Sequence, residues 1–131
     1  MRVIGMLIDE MRLDSGIILR IEDKTVPLAG DLYMVRIAFI TCLPLDGSDT
    51  ELRSYCGDCI TRKRVFEKPA VHRDELDKVK NTIKDSFLST NLPYMNTDKF
   101  VIRLKGRTLK EMREKKEKEL LRGQMEKGDD K

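Results

Sequence analysis

Through the first half of the chain apolar residues alternate with polar ones, and from Asp74 onward they recur every three or four positions. These two rhythms mark half-buried strands and amphipathic helices respectively. A first strand is predicted over residues 5–13, after which Asp14-Ser15-Gly16 offers the positive-φ glycine that a tight hairpin turn needs. Ile17, Leu19 and Ile21 alternate with Ile18, Arg20 and Glu22, predicting a second strand over 17–23 with one buried face. Pro27 and Gly30 are expected to break regular structure between Lys24 and Asp31. Residues 32–43 (LYMVRIAFITCL) are almost continuously apolar and rich in β-branched types, so they read as the central strand. Tyr33, Val35, Ile37, Phe39 and Leu43 share one face of it, and Arg36 on the other face points to incomplete cover there.

Beyond the loop at Pro44, Thr50 to Cys56 reads as a short helix, with Thr50 as N-cap, Leu52, Tyr55 and Cys56 on one side, and Gly57 placed to end it. A fourth strand is predicted over 59–68, stopped by Pro69. Leu76, Val79, Ile83 and Phe87 then form one stripe, predicting the main helix over 74–90, closed before Asn91-Leu92-Pro93. Lys99 to Lys105 leans to helix. Thr108 and Glu111 make a capping box, opening a charged helix over 109–122 with Gly123 as its stop. Strands mostly precede helices, so the fold class expected is α+β: an antiparallel sheet of about four strands with one helix packed on it. Residues 1–105 form the domain in this reading, and 106–131 a charged helical tail too small to be a second one.

The chain has 131 residues, 40% hydrophobic and 37% charged, with net charge +3. That charge lies entirely from residue 105 onward, where ten Lys or Arg face seven acids, leaving sixteen of each sign before it. No run approaches the roughly 18 apolar residues of a membrane span, and the first residues are too few for a signal-peptide core, so the expected compartment is the cytoplasm. Three cysteines, an odd number, point to free thiols rather than a disulfide framework.

Three groups of residues offer chemistry. Cys56 and Cys59, joined by Cys42 and the sole histidine, His72, have the composition of a Cys3His zinc shell. Against zinc, Cys42 and His72 each stand alone, 30 residues apart, and two ordinary buried thiols explain the pair equally well. As a redox motif the pair has reversed context: the helix precedes it, whereas a thiol is activated at a helix N-terminus. Arg62, Arg64, Phe66 and Lys68 share one face of the fourth strand, forming a stripe suited to phosphate or nucleic acid, or simply a charged edge that resists aggregation. Leu109, Met112 and Leu120 form a thin apolar stripe on the tail helix, suited to docking a partner protein. The interleaved glutamates of that helix weaken a nucleic-acid reading of it without excluding one.

Catalytic templates are unmet: His72 is the only imidazole, and the glycines fit neither a phosphate loop nor a dinucleotide fingerprint. Pro27 to Asp31 and Leu92-Pro93-Tyr94 resemble segments of small bacterial proteins, a likeness that names no family and implies no activity. The expected function is a non-enzymatic domain that contacts another protein through a sheet edge or the tail helix. The alternative is a zinc- or nucleic-acid-binding regulator, and a thiol enzyme centred on Cys56 comes last.

Overall fold

The computed structural model describes residues 6–128, and side chains for residues 6–123. It is an α+β fold built on one antiparallel sheet. Five strands form it: β1 (Met6–Arg12), β2 (Ile18–Asp23), β3 (Val26–Ala29), β4 (Leu32–Pro44) and β5 (Cys59–His72). The helices are α1 (Thr50–Cys56), α2 (Leu76–Met95) and α3 (Asp98–Gly128), with a single 3-10 turn at Arg73–Glu75.

As its composition predicts, β4 is central. It pairs β2 and β3 along one edge and β5 along the other, while β1 lies outside β2. Pro27 and Gly30 do not break the sheet. The Lys24 amide donates to the Arg36 carbonyl at 2.7 Å and so carries the ladder from β2 into β3. Pro27 is tolerated because β3 pairs only with β4, leaving its other edge free of ladder bonds. Gly30, at φ +56°, turns the chain back into β4.

The core lies between the sheet and the helices. Ile17, Leu19 and Ile21 join Val35, Ile37, Phe39 and Leu43 there, all buried. Each fully buried aliphatic side chain contributes about 1.5–3 kcal/mol of transfer free energy. Phe87 of α2 stacks on Phe39 of β4 with ring centroids 3.8 Å apart, and Phe66 of β5 meets both rings edge-on.

Two elements run past their predicted ends. β5 continues through Pro69 by a bulge, where Ala70 takes φ +56° and Val71 is returned to the core side. α2 continues past Asn91 with Pro93 inside it, because Met95 is buried and the β1–β2 turn grips the final turn. There the Ser15 hydroxyl donates to the Met95 carbonyl at 2.9 Å. Tertiary packing thus outweighs the local preference of a residue preceding proline.

The expected short helix at 99–105 and the charged helix at 109–122 are one helix, α3. Phe100, Val101, Leu104 and Leu109 pack against the core, and residue 105, the last of the expected domain, lies within α3. Gly123 does not stop the helix, which continues to Gly128; residues 129–131 of the expected polar end lie outside the described residues. Among the described residues no helix is long and apolar enough to cross a membrane.

Candidate anion-binding groove

Antiparallel register determines what β5 presents to the helix side. Ile60 pairs Leu43, Arg62 pairs Thr41, Arg64 pairs Phe39, Phe66 pairs Ile37 and Lys68 pairs Val35. Since Leu43, Phe39, Ile37 and Val35 face the core, their β5 partners do too. The stripe predicted on one face of this strand is therefore turned toward the helices, where an ordinary sheet would carry apolar side chains. Lys68 stands at its far end, outside the cleft that Arg62, Arg64 and Phe66 line.

Between β5, the C-terminal half of α2 and the start of α3 lies a cleft of about 400 Å³. Arg62 and Arg64 come from β5, Asn91 and Tyr94 from α2, and Phe100, Arg107 and Glu111 from α3, with Phe39 and Phe87 beneath. A hollow of about 380 Å³ continues it along α2 past Phe66, and one of about 90 Å³ continues it past Arg103.

The arginines divide by their partners. Arg62 is held: its guanidinium donates to the Thr108 hydroxyl at 2.9 Å and to the Glu111 carboxylate at 2.8 Å. Thr108 is 1% exposed, so this contact explains a polar residue on the buried side of α3. The Arg62–Glu111 pair itself is close to half-exposed on both sides, which places it among surface pairs worth about 0–1 kcal/mol. Arg64 and Arg107 have no carboxylate within 4.0 Å among the described residues. Arg64 lies 5.3 Å from the Phe66 ring centroid, and Arg103 donates to the Tyr94 hydroxyl at 3.2 Å. Tyr94 and Phe100 meet edge-on at 5.2 Å.

The other predicted groups are not assembled in the expected way. Cys42 and Cys59 lie on neighbouring strands, Cys42 opposite Thr61 and Cys59 opposite Pro44, with the Cys59 sulfur 3.5 Å from the Thr61 hydroxyl. Burial, and then the neighbouring Cys59 thiol, push the Cys42 thiol above its ordinary value. Cys56 ends α1 and packs toward the core. His72 ends β5, thirteen residues from Cys59 and so about 40 Å along an extended strand. Its Nδ1 accepts from the Asp74 amide at 3.2 Å. Of the Cys42, Cys56, Cys59 and His72 shell drawn from composition, the cysteines stay near one end of β5 while the strand carries His72 to the other, and among the described residues no three His, Cys, Asp or Glu side chains gather as a metal site. Of the apolar stripe on α3, Leu109 packs on the core and Met112 lines a hollow beside Cys56 and Thr108, leaving Leu120 exposed.

Reading β5 alone could not find Asn91, Tyr94, Phe100, Arg103 and Arg107. The available signal was the helical spacing of Phe100, Leu104, Arg107 and Glu111, which becomes visible only if α3 is begun at Asp98. Comparison of the chain with protein-family models, with curated proteins and with solved structures gives no match.

Proposed function

We propose that this chain is a binding domain whose groove between β5, α2 and α3 takes an anionic ligand with a planar ring, a phosphate-bearing nucleotide unit being the chemistry that fits. One observation carries the reading: Arg64 and Arg107 line the same cleft from two different elements, and neither has an acidic partner among the described residues. A planar guanidinium pairs with phosphate through two parallel hydrogen bonds, and the rings beside it supply a flat apolar surface. Among the described residues the one carboxylate lining the cleft, Glu111, is engaged by Arg62, which favours binding over acid–base catalysis. The free thiols of Cys42, Cys56 and Cys59 support a reducing compartment such as the cytoplasm.

Amide chemical-shift mapping with ATP, inorganic triphosphate and adenosine tests this. The expected result is that ATP shifts residues 62–66, 91–94 and 103–111, that triphosphate does so more weakly, and that the Arg64→Ala, Arg107→Ala double variant loses the response. Shifts scattered outside the groove, or an undiminished response in the double variant, refute it.

A second reading, docking of a partner protein, is supported by Leu120 and Leu121, which are 60% and 53% exposed on α3 beyond its last packed turn. Capture of one specific partner by the full chain but not by the Leu120→Ser, Leu121→Ser variant tests it.

A further inference from the structure

The three hollows along α2 are continuous. The first two share Arg64, Phe87 and Asn91, and the second and third share Tyr94, Phe100, Leu104 and Arg107. From Thr82 to Tyr94 the α2 wall is about 18 Å long, at 1.5 Å per residue. We propose that this groove holds a short single strand of nucleic acid, and the proposal rests on the anion-binding reading given above.

Three features select that ligand. First, the cations are spread along the groove: Arg64 lies toward one end, Arg62 and Arg107 at the middle, Arg103 toward the other. A mononucleotide concentrates its phosphates at one point, whereas a strand spaces them every 3.4 Å or so when stacked, which gives about five in 18 Å and fewer when extended. Second, rings stand among the apolar groups along the groove, beside Ile83, Met95 and Leu104. Phe66 lies at one station and Tyr94 with Phe100 at another, and base–ring stacking accepts any base. A duplex hides its base faces and would leave these rings without a partner. Third, the Asn91 amide nitrogen donates to the Phe87 carbonyl at 3.0 Å, which fixes the side chain while leaving its oxygen and second N–H for a base edge.

An acidic peptide would answer the arginines but not the rings. It would also find the natural peptide route, the free edge of β5, interrupted by Pro69 and the Ala70 bulge.

The experiment is fluorescence anisotropy in low salt with labelled uridine and thymidine homopolymers, against a labelled duplex, labelled ATP and a polyglutamate peptide. Both single strands are expected to bind at micromolar concentration, more tightly than ATP or duplex, and a preference between them reports on the 2′-hydroxyl. Removing Arg64 or Arg107 as alanine is expected to lower the slope of log affinity against log salt by about 0.7 each. Tyr94→Leu is expected to weaken binding about five- to a hundredfold. Lys118→Ala, on α3 beyond the groove, is expected to change nothing, and Arg64→Lys, which keeps charge and fold, should retain most of the salt slope. Duplex binding as tight as single strand, or polyglutamate binding in preference, overturns the inference. If ATP binds the groove while the single strands bind no better, the inference fails and the anion-binding reading stands. If no probe binds, both fail.

Discussion

Replacing Phe87 tests the joint between fold and groove, because its ring is at once the main anchor of α2 on the sheet and the floor of the cleft. The side chain is 6% exposed, stacks on Phe39 at 3.8 Å and meets Phe66 edge-on at 6.0 Å. Truncation of such a ring to alanine costs about 3–5 kcal/mol, of which the aromatic stacking contributes about 0.5–1.5 kcal/mol. Against a total stability of about 5–15 kcal/mol, that is a large fraction. With a urea slope of about 1–3 kcal/mol per molar, the unfolding midpoint should fall by about 2 M. Phe66 is only partly buried, so Phe66→Ala should cost about half as much. Phe39→Leu and Phe87→Leu, combined in a double-mutant cycle, keep the protein folded and should show a coupling of about 1 kcal/mol. A midpoint shift for Phe87→Ala no larger than that for Phe66→Ala, together with zero coupling to Phe39, would show that α2 does not pack on β4 as described.

Three further outcomes are expected. Glu111→Gln releases Arg62 from its half-exposed partner, so affinity for ATP should rise up to about fivefold with stability nearly unchanged; a loss of affinity would show that Glu111 helps to bind rather than competes. Burial alone would raise the Asp23 carboxyl, but hydrogen bonds from the Lys80 ammonium, at 2.7 Å, and from the hydroxyl and amide of Thr25 hold it below its ordinary value of 3.8. The resulting stability is complete above that value and is lost as the pH falls through the lowered one; Asp23→Asn should remove this part of the acid-side slope in urea titrations, and an unaltered slope would contradict it. Ala70→Gly relieves a left-handed residue worth about 1–2 kcal/mol at a chain-entropy cost of about 0.4–1 kcal/mol, so the melting temperature should hold or rise; a clear fall would deny the bulge.

What the sequence disclosed follows from the range of each signal. Alternation is local, so β1, β2, β4 and the body of β5 could be read directly, as could the three-and-four spacing of Leu76, Val79, Ile83 and Phe87. Proline rules are local too, and failed where distant residues intervene. Pro27 is accommodated on an edge, Pro69 by a bulge, and Pro93 by the burial of Met95 and the grip of Ser15, eighty residues away in sequence. The candidate site was half legible. One strand face placed Arg62, Arg64 and Phe66 together, but the groove's other walls are brought in by topology. Cys59 and His72 illustrate the opposite case: composition suggests a shell, and a fourteen-residue strand carries the histidine away from the cysteines.

The chemistry of β5 gains its meaning from where α2 and α3 stand. Charges on an edge strand are an ordinary defence against sheet-to-sheet association, and on the helix-free face of β5 Lys63 and Glu67 need no other explanation. Arg62 and Arg64 differ because their register with Thr41 and Phe39 turns them inward, to positions where apolar side chains would strengthen the core at no cost in solubility. The fold accommodates them by other departures from apolar packing. α3 places Thr108 at a buried position to accept from Arg62, Glu111 balances the same guanidinium, and α2 offers Asn91 and Tyr94 in its last turns. Polar residues contributed by three elements to one cleft, each at some expense to core packing, are hard to account for as edge protection, since none of those on α2 or α3 guards an edge. They are accounted for if the cleft must stay open and positively charged, and substituting Arg64 with leucine separates the two explanations: closure of the groove should stabilise the domain while abolishing ATP-induced shifts at Asn91 and Arg107.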